Sequence, residues 1–260
     1  MSDLVSVIMP SYNTADYIAD SIRSVQAQTY TNWELLIVDD CSTDDSDTVI
    51  APFLKDERIR YLKNEVNSGA AVSRNRALRE ATGRWIAFLD SDDLWHPEKL
   101  VRQIAFMEEN GYAFSCTDYR TCLNGVWEPW IWTGPAVVDR RRLYDYCFFS
   151  TITVMYDREK IGLVQVTPIR KNNDYAMWLQ IIEKSPCYRL HECLSYYIRH
   201  EGSVSSGSKL RLIKWHYRLW RTVMKKSAAS ASVLTLRNLF WGVWKKQFCR
   251  KPIQWETSEK

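Results

Sequence analysis

Several enzyme classes are excluded because the 260-residue sequence lacks their defining motifs. The turn after the first apolar run reads PSYNTADY, which contains no GxGxxG motif for binding a dinucleotide. There is no GxxxxGKS or GxxxxGKT phosphate-binding loop either. The acidic stretch DDCSTDDSDTVIA has neither the glycine nor the glutamate that an EF-hand loop needs at its sixth and twelfth positions. We therefore expect neither a dehydrogenase, nor a P-loop enzyme, nor an EF-hand protein.

Features of secreted and membrane-spanning proteins are also scarce. The seven cysteines are scattered and form no CxxC pair, which is typical of free thiols in a reducing compartment. The N-terminus MSDLVSVIMP lacks the basic segment of a signal peptide. No apolar run approaches the roughly 18 residues that a transmembrane helix needs. We expect a cytoplasmic protein.

The first 111 residues alternate predicted strands and helices. The predicted strands are 5–10, 33–40, 59–64 and 84–89, and the predicted helices are 15–28, 48–54, 70–81 and one that begins near Pro97. This alternation predicts an α/β fold, a Rossmann-like and mostly parallel sheet flanked by helices.

The rest of the chain differs in composition from this first part. Residues 112–156 are rich in predicted strands, with a core strand expected within 147–156, and residues 173–185 predict a helix. Residues 207–260 carry 13 Lys and Arg against 2 Asp and Glu, in two basic amphipathic helices. We therefore expect two parts of one domain, at 1–111 and 112–207, and a basic amphipathic helical extension at 208–260.

Polar side chains follow three of the predicted parallel strands. They are Tyr12 and Asn13 after the first strand, Asp39 and Asp40 after the second, and Asp90, Asp92 and Asp93 after the fourth. Ligands bind at the carboxyl ends of parallel strands, so these groups predict one shared site. Three carboxylates within four positions repel one another, and a divalent cation would offset that repulsion.

The residue types at this site suit a nucleotide diphosphate. Tyr12 can stack on a base, and Asp40 can accept a hydrogen bond from a base N–H group. Arg74 lies near the start of a predicted helix and can contact a phosphate. The acids of DSDD, residues 90–93, are hard oxygen ligands that suit Mg²⁺ or Mn²⁺.

Four ordered motifs resemble family 2 inverting glycosyltransferases. They are VSVIMPSYN, WELLIVDDCSTDDS, NSGAAVSRNRALREATGRWIAFLDSDD and NDYAMWLQI, and the resemblance covers roughly residues 4–205. It implies the GT-A fold, a nucleotide-diphosphate sugar as donor, most often a UDP-sugar, and Mn²⁺ or Mg²⁺ as cofactor. Within that fold, residues 1–111 would be the half that binds the nucleotide sugar, and residues 112–207 the half that binds the acceptor. Many relatives extend a lipid-linked oligosaccharide for surface polysaccharides, so a lipid-linked or other glycan is the expected acceptor.

The resemblance also implies a role for individual residues. Pro10, Tyr12, Asp40 and Arg74 would form the nucleotide pocket, with Tyr12 stacked on the base and Asp40 bonded to it. Asp90 or Asp92 would hold the ribose, and Asp92 or Asp93 the metal. Asp174 would be the catalytic base. His200 would approach the diphosphate or the metal.

One position departs from the family pattern. Family members often have Glu-Asp where this chain has Asn173 and Asp174. We expect the second residue to be the base, so that activity survives. A catalytically inactive protein that binds sugar nucleotides or glycans is the alternative from another class. A sugar-phosphate nucleotidyltransferase would need a glycine-rich basic first loop, which PSYNTADY is not.

The basic extension has two possible surfaces to bind. Basic amphipathic helices rich in tryptophan suit an anionic membrane, which would place the protein on the inner face of the plasma membrane. Alternatively, these helices pack back on the catalytic domain. No nucleic-acid-binding module is recognisable, so we expect no nucleic acid partner.

Overall fold

Four parallel strands form one half of the sheet in the computed structural model, which describes residues 3–199 and 209–253. In sheet order they are β4 (Trp85–Phe88), β1 (Val5–Ser11), β2 (Trp33–Asp39) and β3 (Ile59–Lys63). The helices of this half are α1 (Ile18–Gln26), α2 (Ser46–Ile50), α3 (Ala70–Glu80) and α4 (Lys99–Glu109). The predicted elements are all present, and each predicted strand overlaps the observed one almost completely.

The second half continues the same sheet with mixed pairing. Its strands are β5 (Leu94–Trp95), β6 (Phe114–Leu123), β7 (Val126–Trp132), β8 (Val137–Val138), β9 (Met155–Asp157) and β10 (Cys187–Arg199). Its helices are α5 (Arg140–Asp145), α6 (Arg158–Ile161) and α7 (Asn173–Ile181). β9 joins the two halves because it pairs antiparallel with both β4 and β6.

The C-terminal extension is helical and also reaches the sheet. α8 (Lys209–Arg218) continues into a π-helical turn at Leu219–Val223, and α9 (Ala228–Phe248) follows. β11 (Arg250–Pro252) then pairs antiparallel with β7 at the edge of the sheet. None of the helices in the described part of the chain has an apolar stretch of the length needed to span a bilayer.

Two predicted elements differ from the structure. The core strand expected within 147–156 is wrong for most of its length, because only β9, from Met155, is extended there. Residues 151–153 form a 3₁₀ helix instead. Phe148, Phe149 and Ile152 are apolar and buried in the core. An apolar run of this kind does not by itself distinguish a strand from a buried loop. The helix expected at 48–54 becomes 3₁₀ after Ile50, where Pro52 lacks the N–H of a regular α-helix.

Both faces of the sheet are covered. In β1, Ile8 belongs to one hydrophobic cluster, whereas Val7 and Met9 belong to the cluster on the opposite face. This two-sided burial explains why the parallel strands are continuous apolar runs rather than alternating ones. Only the strand ends are then left to present polar groups to a ligand.

Candidate active site

The carboxyl ends of β1 and β2 are level with each other. Ser11 pairs with Asp39 as the last residues of the two strands, and the Asp40 amide donates a hydrogen bond of 2.8 Å to the Ser11 carbonyl. β4 pairs with β1 up to Phe88 opposite Ile8, so Asp90 and the acids after it follow at the same edge. The polar residues that follow all three strands therefore leave the sheet at one edge.

Tyr12 lies in a turn fixed by its neighbour. Asn13 adopts a φ of 51°, a left-handed conformation that asparagine tolerates better than most residues. Its side-chain oxygen accepts from the Thr43 amide at 2.8 Å, and its own amide donates to Ser42 Oγ at 2.9 Å. Tyr12 itself is 46% exposed, so its ring can take a stacked base. Pro10 is buried within β1 opposite Val38.

The two acids after β2 have different surroundings. Asp39 is fully buried and accepts hydrogen bonds from the amide and the hydroxyl of Ser42, so it closes the loop after the strand. Asp40 Oδ1 accepts from Asn64 Nδ2 at 2.8 Å and from the Ser68 amide at 3.0 Å. Asp40 Oδ2 accepts from the Gly69 amide at 2.6 Å. An ionised carboxylate can accept about four hydrogen bonds, so these three leave capacity for one more donor.

Arg74, on α3, links the acids that follow β4 to the start of α7. Its Nη2 lies 2.5 Å from Asp90 Oδ1, and its Nη1 lies 3.4 Å from Asn173 Oδ1. Burial alone would lower the pKa of Arg74, but the carboxylates of Asp90, Asp174 and Asp92 raise that pKa instead. The guanidinium therefore stays charged and offsets part of the repulsion among the acids.

Asp93 is the most deeply buried of the three DSDD acids. Its Oδ1 accepts from the Ile198 amide of β10 at 2.7 Å, and its Oδ2 has no hydrogen-bond partner within residues 3–199 and 209–253. Burial, followed by the charges of Asp92 and Asp90, holds the pKa of Asp93 well above its usual range. Asp90 and Asp92 are half-buried. The negative charge of the acids after β4 is thus offset in part by Arg74 and by the Ile198 amide.

The donor atoms at this strand end fit a hard divalent cation. They are carboxylate oxygens, and among the described residues no hydrogen-bond donor to the buried Asp93 Oδ2 would compete with a metal. No group of three His, Cys, Asp or Glu side chains arranged to hold a metal occurs in the described part of the chain. A cage of that kind is not required, because Mg²⁺ is usually held by one or two carboxylates together with substrate phosphates and water.

Asp174 begins the first turn of α7. Its Oδ2 accepts from Thr151 Oγ1 at 3.1 Å, and its Oδ1 accepts from the Tyr175 amide at 2.8 Å. The position in the first turn of the helix suits an acidic side chain, because the helix dipole is positive at its N-terminus. The side chain is half-buried, so one edge can be reached by a substrate. His200 lies outside the described residues.

Three contacts at the site could not be found from the sequence. Thr151 lies in the segment predicted as a strand, so nothing indicated that it would meet Asp174. The Ile198 contact uses a backbone amide, which no sequence pattern marks. Asn173 was noticed only as a departure from the family motif, and its contact with Arg74 depends on how α3 and α7 pack.

An α/β sheet with polar and acidic residues at the carboxyl ends of its parallel strands is typical of enzymes that bind nucleotides. The chain belongs to glycosyl transferase family 2, whose family model matches residues 6–171. This assignment confirms the family resemblance of the four sequence motifs and makes the protein a glycosyltransferase.

Two curated relatives align over most of the chain. TuaG of Bacillus subtilis (strain 168), whose name refers to teichuronic acid biosynthesis, is 43% identical over 78% of this chain and 82% of its own. WfaP of Escherichia coli is 39% identical over 82% of this chain and 84% of its own. WfaP is named as a UDP-Glc:α-D-GlcNAc-diphosphoundecaprenol β-1,3-glucosyltransferase.

Solved structures confirm the fold class. Staphylococcus aureus TarS residues 1–349, in complex with UDP-GlcNAc, superposes with a TM-score of 0.73 at 22% identity, covering 90% of this chain and 71% of TarS. The mannosyltransferase PcManGT of Pyrobaculum calidifontis, in complex with GDP-Man and Mn²⁺, gives 0.66 at 17% identity, covering 95% of this chain and 74% of its own. At these identities the likeness concerns the GT-A fold alone.

Proposed function

We propose that this protein is an inverting glycosyltransferase that moves a sugar from a UDP-sugar to a hydroxyl of a lipid-linked glycan during bacterial surface-polysaccharide biosynthesis. The observation that carries the proposal is the position of Arg74 between Asp90 and Asn173. This contact brings the strand end suited to a nucleotide diphosphate next to the one carboxylate, Asp174, that is suited to act as a base. The names of TuaG and WfaP support the pathway and the lipid-linked acceptor.

In this proposal the donor nucleotide lies along the carboxyl edge of β1, β2 and β4. Tyr12 stacks on uracil, and the remaining acceptor capacity of Asp40 is used by the base N–H. Pro10 acts only by shaping the end of β1, since it is buried. Asp90, already oriented by Arg74, accepts hydrogen bonds from the ribose hydroxyls.

Asp92 and Asp93 would hold Mn²⁺ or Mg²⁺ beside the diphosphate. The bound ion would neutralise charge that develops on the leaving diphosphate. Arg74 contributes a second, fixed positive charge from the protein side. The three carboxylates around it keep it protonated despite its burial. PcManGT, with the same fold, was solved with Mn²⁺.

The transfer itself needs one base. The acceptor hydroxyl attacks C1 of the donor sugar on the side opposite the diphosphate, and Asp174 takes the hydroxyl proton. The new C1–O bond forms while the bond from C1 to the diphosphate oxygen breaks, and that electron pair leaves with the diphosphate. A single displacement inverts C1, so an α-linked donor gives a β-linked product. Thr151 holds Asp174 so that one carboxylate edge faces the acceptor.

Donor hydrolysis and transfer by Asp174→Asn test the assignment of the base. Loss of the base should lower kcat by roughly 10²- to 10⁴-fold while UDP still binds. Asn173→Ala is the matched neighbour control. It removes two long contacts, the one at 3.4 Å from Arg74 and the one at 3.3 Å to the Ile169 carbonyl, so its activity should stay within about threefold of wild type. Equal losses in both variants would contradict the assignment.

Calorimetric binding of UDP, GDP and dTDP, each with Mn²⁺ and with EDTA, tests the donor class. We expect UDP to bind, and to bind more tightly with Mn²⁺ in wild type but not in Asp92→Ala. Binding of UDP together with no detectable transfer or hydrolysis would favour an inactive sugar-nucleotide-binding protein. Folded protein that binds none of the three nucleotides would overturn the proposed function.

A further inference from the structure

A cavity is present that shares no lining residue with the candidate active site. It has a volume of about 890 Å³ and is enclosed by α5, the connection between β7 and β8, and the last turns of α9. This size is within the range of about 300–1,000 Å³ found for small-molecule sites. None of the residues assigned to the donor, the metal or the base lines it.

One wall of the cavity is aromatic. Trp241, Trp244 and Phe248 project into it from successive turns of α9, and Phe148 forms the floor. Phe148 is buried and makes edge contacts to both tryptophans, at ring-centroid distances of 6.2 and 6.3 Å. Phe248 is 65% exposed, so the wall runs from the buried floor out to the protein surface. An extended apolar chain could follow it outward.

Another part of the cavity wall is cationic. Arg141, Arg142 and Lys251 line the cavity and are exposed to solvent. The two acids of the lining are already engaged, because Asp139 caps α5 through the Arg142 amide and Asp145 pairs with Arg237. Within residues 3–199 and 209–253, neither Arg141 nor Lys251 has a carboxylate partner. The wall therefore complements an anion that is joined to an apolar group.

The cavity is also close to the proposed base. Asp145 and Phe148 line it, and Thr151, three residues further along the same segment, donates to Asp174. Three residues of chain span at most about 11 Å. The cavity and the proposed base are therefore neighbours, joined through the segment from Phe148 to Thr151.

We propose that this cavity binds the prenyl diphosphate part of the acceptor. Arg141 and Lys251 bind the diphosphate, and Trp241, Trp244 and Phe248 contact the first isoprenoid units. This inference rests on the proposed function and adds to it the site of the lipid carrier. It also gives a role to α9, which contributes no residue to the nucleotide site. This helix packs against α5, in the segment that leads to Thr151 and its hydrogen bond to Asp174.

Farnesyl diphosphate, below the concentration at which it forms micelles, is a soluble probe of this cavity. With saturating UDP and Mn²⁺ present to fill the donor site, calorimetry should detect its binding to the full chain. Inorganic pyrophosphate and farnesol should each bind at least about tenfold more weakly, since each satisfies only one wall. Displacement of farnesyl diphosphate by UDP, or equal binding of pyrophosphate, would overturn the proposal.

Charge and aromatic variants locate the binding. Arg141→Glu combined with Lys251→Glu should weaken farnesyl diphosphate at least about tenfold, since two charge-assisted contacts are lost. Arg140→Glu combined with Lys246→Glu makes the same charge change outside the cavity and should change binding less than about twofold. Trp244→Ala should weaken binding, whereas Val243→Ala should not.

UDP binding in the same variants separates the two proposals. If UDP binds normally to every variant while farnesyl diphosphate binds to none, including wild type, the cavity assignment is wrong and the proposed function stands. If the charge pair binds farnesyl diphosphate as well as wild type does, the cavity assignment is likewise wrong.

Discussion

Thr151 is the residue that fixes the orientation of the proposed base, through its 3.1 Å hydrogen bond to Asp174. Replacing it with valine keeps the shape of the side chain and removes the hydroxyl donor. Asp174 would then be free to rotate away from the acceptor, and we expect kcat to fall by about 10- to 150-fold, equivalent to the roughly 1.5–3 kcal/mol of one net hydrogen bond to a charged group.

Steady-state kinetics and UDP calorimetry on Thr151→Val check this expectation. Nucleotide affinity should be unchanged, because Thr151 does not touch the donor residues. Thr151→Ser keeps the hydroxyl and should retain most of the activity. The positioning role is wrong if serine and valine lower kcat equally.

Lys99 is a fully buried lysine at the start of α4. Its Nζ donates to Gln103 Oε1 at 2.7 Å and lies 4.2 Å from the Trp95 ring centroid. Burial lowers the pKa of Lys99 to about 7. The folded pKa is thus below the unfolded one, so between about pH 7 and 10 the unfolded chain binds more protons. This lysine therefore makes stability rise with pH over that window, by up to about 1.4 kcal/mol per pH unit.

Lys99→Met removes this titration. The unfolding free energy of Lys99→Met minus that of wild type should be largest near pH 7 and should become smaller as the pH rises toward 9.5. Urea unfolding at several pH values measures the difference, and Lys246→Met, at an exposed position on α9, should show no such trend. Parallel stability curves for wild type and Lys99→Met would contradict the expected titration.

At the scale of whole elements, the parallel half of the sheet could be predicted because local signals agree there. The apolar runs of β1, β2 and β4 end in turn residues, and their lengths suit only strands. The convergence of Tyr12, Asp40 and Asp90 followed from the rule that parallel strands share a carboxyl edge.

The segment 140–153 could not be predicted, because tertiary contacts decide its conformation. α5 is only six residues long and is held by the Asp139 cap and by packing on α9. The residues after α5 are buried in the core, and their apolar side chains do not alternate with polar ones as they would in a half-buried strand. For the same reason the cavity was not foreseen, since it exists only once α9 packs against this segment.

Asn238 is the most deeply buried of the polar residues through which α9 contacts the domain, which also include Arg237 and Lys245. It is buried, and its Oδ1 accepts from Trp220 Nε1 at 2.8 Å. Its Nδ2 donates to the carbonyls of Tyr144 and Asp145, at 3.0 and 2.6 Å. Asn238→Ala would leave the buried Trp220 N–H and two carbonyls without partners, and we expect a loss of about 2–3 kcal/mol.

Urea unfolding and hydrogen exchange over 212–248 test this contact. Protection of α8 and α9 should fall more than that of β1 and β2, because the loss is at the docking surface. Ser232→Ala, at an exposed position on α9, should change stability by less than about 0.5 kcal/mol. Unchanged exchange in Asn238→Ala would mean that the other contacts of α9, apolar packing and the Arg237–Asp145 pair among them, are sufficient to hold the helices.

For the molecule as a whole, charge and exposed apolar surface are concentrated in the same extension. Residues 207–260 hold 13 Lys and Arg against 2 Asp and Glu, whereas the chain as a whole carries only +4. One face of α9 packs on the domain through Leu234 and Asn238. The other presents Val233, Leu236, Phe240 and Val243, which are 56–72% exposed and recur every three or four residues. The extension thus packs on the domain and still leaves an apolar stripe for a second partner.

We expect this stripe to bind an anionic membrane, where the proposed acceptor would be anchored. The full chain should float with vesicles that contain anionic lipid, float less in high salt, and stay unbound with neutral vesicles, because the basic residues act over a Debye length. Leu236→Ser combined with Phe240→Ser removes two apolar side chains worth about 1.5–3 kcal/mol each on burial, so partitioning should fall at least about tenfold. Leu54→Ser combined with Val101→Ser, exposed apolar positions on the donor half, should not change it. If the full chain does not float with anionic vesicles, the stripe has another partner. The acceptor must then reach Asp174 without α9 bound to the membrane.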